Sequence, residues 1–215
     1  MKSLFKSFFQ SDKNDGPRTL NHPRELQIGD IVRFRYLPQA ELSDQRFEVT
    51  QVNTYDFEDR NLTELVLKNN NNQTIYLTVD ETDDEPFLAI SKKIQRATVE
   101  KLFDLDEFAL LFDSEEPTQL NRLSEPTELS NWTSEKYIQE IYEEGGYFHR
   151  GDYRNKTVPQ DESEGDVFEY FTAINDKRTH LIEAEVYEDG DTDVLVTLRY
   201  PIDYIEEMWP NPNAG

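Results

Sequence analysis

Cysteine is absent from the 215 residues. Disulfides, thiolate metal sites and thiol nucleophiles are therefore ruled out, and a reducing compartment is favoured. Long apolar runs are missing too, since no stretch approaches the ~20 apolar residues of a membrane-spanning helix. The opening MKSLFKSFFQSDKND is interrupted by Lys6 and leads to no small-residue cleavage site. A signal peptide needs a continuous apolar region of about 7–15 residues. The expected location is the cytoplasm, with peripheral membrane contact open to the N-terminal arm.

Recognisable catalytic signatures are lacking as well. There is no G-x-S-x-G elbow, no Gly-rich phosphate loop ending in GK[ST], no G-x-G-x-x-G and no H-E-x-x-H. Histidine is scarce, with only His22, His149 and His180. Their spacing neither builds nor forbids a metal site with carboxylates. No cofactor, metal or catalytic residue is expected.

Positive charge is the last shortage: 22 Lys and Arg stand against 45 Asp and Glu, for a net charge of −23. Such a field repels nucleic acid and anionic lipid and attracts cations or basic partners. Nucleic-acid binding is not expected, whereas a basic protein, a polyamine or mimicry of nucleic acid fits the sign. Acidity that merely keeps the chain dispersed fits equally.

What is present argues for a folded chain. Thirteen Phe, eleven Tyr and two Trp are too many aromatics for a disordered one. The length suits one large domain or two small ones. Leu4, Phe5, Phe8 and Phe9 share one face at helical spacing, with Lys2 and Lys6 elsewhere, and read as a short amphipathic arm for a protein groove or membrane surface. Residues 11–24 read as a linker.

Alternation then predicts strands over 30–36, 47–52, 62–68, 74–79 and 87–90, with Asn69–Asn72 as a hairpin turn. Val99, Leu102, Phe103, Leu105, Phe108, Leu111 and Phe112 follow helical periodicity. Residues 113–130, with Pro117 and Pro126, read as a connector. Strands are expected again over 132–142 and 147–153, flanking a Gly145-Gly146 hairpin, then over 167–174, 180–186 and 194–200, with an irregular tail from Trp209. The block Glu64 to Asp80 lines up with Glu169 to Glu185 as apolar strand, polar turn, Thr and apolar strand ending in acid. The pattern suggests two related β-lobes.

Three constellations stand out. Asp189-Gly-Asp191-Thr-Asp193 hints at calcium, but an EF-hand loop requires Gly at the sixth position and Glu at the twelfth, where Val194 and Tyr200 stand, so a hairpin tip is the better reading. Acidic runs offer docking through Asp80, Glu81, Asp83, Asp84, Asp189, Asp191 and Asp193, or are simply solvated turns and strand edges. Tyr147, Phe148, His149, Arg150 and Tyr153 form the densest aromatic and basic patch, a candidate recognition surface or a strand running into a turn.

The runs MKSLFKSFF, IGDIVRFRY, RFEVTQV, FEYFTAIN and HLIEAEVYEDGDTDVLV resemble a bacterial domain-of-unknown-function family. Its members are small acidic proteins encoded near phage-shock-type membrane-stress, channel-like membrane and polyamine genes. The resemblance implies a cytosolic accessory role and carries no catalytic residue. Together these readings predict a mainly β (α+β) fold of two antiparallel β-lobes, over 25–95 and 130–215, behind an arm and linker at 1–24 and bridged by a helical segment and connector at 96–129. The expected function is a non-enzymatic accessory protein that engages a basic or membrane-associated partner. The alternatives are a polyamine or small-molecule binding module and a carboxylate-dependent enzyme.

Overall fold

A computed structural model describes residues 18–81, 86–113, 116–159 and 165–212. The arm residues Leu4, Phe5, Phe8 and Phe9 lie outside this set, as do Asp83 and Asp84. The strands are β1 (Ile31–Phe34), β2 (Arg46–Phe57), β3 (Asn61–Asn69), β4 (Thr74–Asp80), β5 (Phe87–Ile94), β6 (Gln119–Asn121), β7 (Lys136–His149), β8 (Asp166–Ile174), β9 (His180–Tyr187), β10 (Thr192–Pro201) and β11 (Ile205–Trp209). Helices α1 (Arg96–Leu102) and α2 (Leu105–Asp113) occupy the middle of the chain. The fold is mainly β with a minor helical part, as the periodicity predicts.

All pairings are antiparallel, in the order β11-β1-β2-β3-β4-β5-β10-β9-β8-β7-β6, and β2 also pairs with β7. That last pairing closes β2, β3, β4, β5, β10, β9, β8 and β7 into a barrel. The two expected lobes are thus halves of one sheet. Each half runs through five strands in chain order, and the halves join where β5 meets β10 and where β2 meets β7. Their central turns use the same chemistry. Asn69 Oδ1 accepts the backbone N–H groups of Asn71 and Gln73 while Asn72 takes φ 59°; Asn175 Oδ1 accepts those of Thr179 and His180 while Arg178 takes φ 56°. In both turns an asparagine side chain stands in for the backbone, as such residues do where a strand reverses.

Strand alternation gives the barrel two different faces. One carries Leu65, Leu67, Ile75, Leu77, Leu88, Ile90, Val196 and Leu198, all buried in a single cluster with Leu26, Phe34, Val99, Leu102, Phe103 and Trp132. This apolar face is the outside, covered by the helices and by the loops around them. A polar anchor ties the cover down. Glu41 accepts from Lys92 Nζ at 2.7 Å and from Trp132 Nε1 at 2.9 Å, and the Lys92 ammonium lies 5.5 Å above the Trp132 ring. Three distant parts of the chain meet there.

Four elements differ from the sequence expectation. The helical segment is two helices, because Asp104 stops one and caps the next, its Oδ1 accepting from the N–H groups of Asp106 and Glu107. A strand not expected, β11, precedes the irregular tail and is held by Asp30, a fully buried carboxylate that accepts from Asn211 N and Gln27 N and pairs with Arg18. The connector holds the short β6. Gly145-Gly146 is not a hairpin: both residues lie inside the continuous β7.

Gly146 sits at the closing seam, opposite Phe57 of β2 and Phe168 of β8. A Cβ there would lie 3.0 Å from the Phe168 ring and 3.1 Å from the Asp56 carbonyl oxygen, whereas one at Gly145 would meet nothing within 4 Å. Arg60 fastens the seam from the β2–β3 turn, gripping Glu144 with both terminal nitrogens and covering the Phe57 ring at 4.3 Å. Gly146→Ala should therefore lower the urea midpoint by an amount worth about 1–3 kcal/mol. Gly145→Ala should stay within about 0.5 kcal/mol of the parent. Equal effects at the two glycines would show that the seam is not tightly packed.

Candidate functional site

The inward face is polar. Side chains from all eight barrel strands line a cavity of about 850 Å³ that opens at one end. A smaller space of about 80 Å³ lies beyond it, and Tyr55, Glu64, Glu185 and Leu195 line both. β2 contributes Gln51, Asn53 and Tyr55, β3 contributes Glu64, and β9 contributes Glu183, Glu185 and Tyr187.

The centre is a carboxylate–tyrosine network. Glu64 and Glu185 are each only 5% exposed. Tyr55 Oη donates to Glu185 Oε1 at 2.8 Å and lies 3.4 Å from Glu64 Oε2. Tyr187 donates to Glu185 Oε2 at 2.7 Å, and Asn53 Nδ2 donates to Glu64 Oε1 at 2.7 Å. Gln51 orients Asn53 by donating to its Oδ1 at 2.6 Å. Deeper in, Tyr170 donates to Glu183, and Thr197 donates to Ser91 at 2.8 Å. Aromatic rings pack around Tyr55, with centroids of Phe148 at 4.9 Å and Phe168 at 5.5 Å.

Burial dominates the electrostatics. Desolvation pushes Glu64 up to about 7, and desolvation together with the charge of Glu64 pushes Glu185 up to about 8. Burial and the neighbouring carboxylates raise Tyr55, Tyr170 and Tyr187 well above the ordinary phenol range. Cations stand at the margins. Lys93 pairs with Asp193, and Arg150 pairs with Asp166 at 2.6 Å. Arg199 lies 4.4 Å above the Phe87 ring at the far end.

The residues singled out by sequence fall in several places. Asp189, Asp191 and Asp193 line the cavity mouth. Asp80 lines the inner space, while Glu81 pairs with Arg24 on the outside. Alternation splits the aromatic patch between faces: Phe148 and Arg150 line the cavity, whereas His149 is buried on the other face against the Tyr153 ring, 5.7 Å away. Among the described residues, no group of three His, Cys, Asp or Glu is arranged to hold a metal ion. No helix among them is long and apolar enough to cross a membrane.

Tyr55, Tyr170 and Glu183 were not singled out by the sequence, and Glu64 and Glu185 stood out only as the ends of the two matched blocks. A signal did exist. Glu64 lies directly before Leu-Val-Leu, and Glu183 and Glu185 alternate with Ile182, Ala184 and Val186. Acids inside strands whose opposite face is apolar point to a polar interior or to solvent, and only closure of the barrel selects the interior. No family model, curated protein or solved structure matches this chain.

The raised carboxyls fix the sign of a pH effect. The ordinary value of Glu64 is 4.5 and its folded value about 7, so in that window the folded chain holds a proton that the unfolded chain has lost. Its stabilising contribution is complete below pH 4.5 and disappears as pH rises through 7. Glu64→Gln keeps the shape of the protonated acid and removes the titration. From pH 5 to 8 the parent should lose about 2 kcal/mol relative to this variant in urea denaturation. Parallel pH profiles would mean that Glu64 is not held neutral by burial.

Proposed function

We propose that the protein is a non-enzymatic binding module that admits a small polar cation, of the amine class, into the lumen of its barrel. The observation that carries this reading is the convergence of Glu64, Glu183 and Glu185, with the hydroxyls of Tyr55, Tyr170 and Tyr187, along the barrel lumen, across the cavity and the smaller space beyond it. Buried carboxylates are ordinarily paired with cations or neutralised. Here the lumen supplies hydrogen bonds instead, and a cation of suitable size would complete the pairing. Small-molecule sites are concave, with few polar groups set among aromatic ones; Phe148 lines the cavity wall, and Phe168 backs the Tyr55 ring. Asp189 and Asp191 at the mouth would raise the local cation concentration.

This reading takes the small-molecule alternative over the basic-partner one. The surface acids that would dock a basic protein are in part already engaged, as Glu81 is with Arg24 and Asp193 with Lys93. A cytoplasmic setting suits such a module, and we read the matched strand order of its halves as a degenerate duplication.

Calorimetric titration of the full chain with 1,4-diaminobutane and butylamine tests the proposal, with 1,4-butanediol as the uncharged control. Saturable binding of the amines is expected, with at least tenfold weaker affinity in Glu185→Gln, a loss of about 1.4 kcal/mol. Identical behaviour of the diol and the diamine, or no saturable binding of either amine, would refute a cation site.

A further inference from the structure

A tyrosine hydroxyl carries a single proton and donates a single hydrogen bond. Tyr55 directs its proton to the nearer acid, Glu185, at 2.8 Å, and Tyr187 fills the other oxygen of the same carboxylate. Glu185 is therefore satisfied as an anion. Burial and the charge of Glu64 raise it to about 8, against about 7 for Glu64, but its two phenol donors lower it. The donor geometry decides where one proton shared by the pair sits. Glu64 differs: its Oε1 accepts from Asn53, while its Oε2 faces the Tyr55 oxygen at 3.4 Å after the Tyr55 proton has gone elsewhere. Two facing lone pairs repel, and a proton on Glu64 Oε2 turns the contact into a hydrogen bond.

The surrounding groups do not relieve this arrangement with charge. Among the described residues no ion pair includes Glu64, Glu183 or Glu185. Tyr76 faces the pair from β4, and Lys93 of β5 is held by Asp193 of β10. At the β7–β8 side Arg150 is held by Asp166. Glu183 accepts from Tyr170, which adds negative charge without a cation, and Arg199 stands over Phe87 at the far end.

We infer that Glu64 and Glu185 hold a single proton between them, seated on Glu64 Oε2 and directed to Tyr55 Oη, and that a primary ammonium group entering the lumen takes its place. The inference rests on the cation-binding reading for its second half alone. The balance is simple: the ammonium ion enters with its charge and N–H bonds intact, Glu64 loses its proton to solvent, and both carboxylates become anions that accept from the ammonium. Ligand class follows from the acceptors. Once its proton has left, Glu64 Oε2 requires an N–H donor, so a quaternary ammonium ion of equal charge leaves it unsatisfied.

The test is calorimetric titration of the full chain at about pH 6.5 with butylamine and butyltrimethylammonium, in two buffers of different ionisation enthalpy. It is paired with carbon-13 NMR titration of the glutamate carboxyls in the free protein and in Glu64→Gln. The expected result is release of about one proton per butylamine bound, absent in the variant. The quaternary ion should bind at least tenfold more weakly, and one carboxyl titrating near neutral pH should vanish in Glu64→Gln. Butylamine binding with the same heat in both buffers would overturn proton exchange and leave the cation site standing. If butylamine does not bind, the cation site fails, and the NMR titration decides the rest. A near-neutral carboxyl lost in the variant keeps the shared proton, and glutamates that all titrate in the ordinary range near 4.3 overturn it.

Discussion

The short seam between β2 and β7 is the constraint on which the rest depends. It spans only Thr54–Phe57 against Gly146–His149, yet it converts a long antiparallel sheet into a ring with an inside. Because side chains alternate across a strand, closure forces every second residue of eight strands into one shared space. The seam is built for close approach, with a glycine under the Phe168 ring, Phe57 packed edge-on against that ring at 5.6 Å, and Arg60 clamping Glu144 across it. The first residues of β2 and β7 part from one another and take β1 and β6 as their second neighbours instead.

Closure also explains the inverted distribution of polarity. Small barrels commonly fill their interiors with side chains. Here the apolar positions point outward and gain their burial from α1, α2 and the long loops that wrap the barrel. The inner face is left free to carry acids and phenols. Holding Glu64 and Glu185 in a space largely removed from water opposes folding, and their hydrogen bonds offset part of that penalty. A network that works against stability and sits in a lumen lined by all eight strands is the arrangement expected where a site is kept at the expense of a stronger core.

The same network defines what the lumen would recognise. Glu185 is held by two tyrosines and Glu64 by an asparagine, which is itself positioned by Gln51. These supports sit on strands and not on loops, so the acceptors are preorganised before any ligand arrives. The rings of Phe148 and Phe168 both pack against Tyr55 and hold its hydroxyl in place.

Much of the fold was legible in the residues themselves. Period-two alternation located β3, β4, β8, β9 and β10, and the asparagine run marked the β3–β4 turn, because both depend on near neighbours. The glycine pair misled, since Gly145 and Gly146 carry the usual mark of a turn while Gly146 answers a demand for space set by Phe168, on another strand. The β11 strand was hidden because its partner, β1, lies far away in sequence and Asp30 joins the two. For the site, the acidic excess and the absence of thiols were determined by the sequence alone and narrowed the chemistry to carboxylates and aromatics. Which of the 45 acids meet water and which meet Tyr55 was decided by tertiary structure. A strand's alternation states that two faces differ, and only the closing of the ring says which of them is inside.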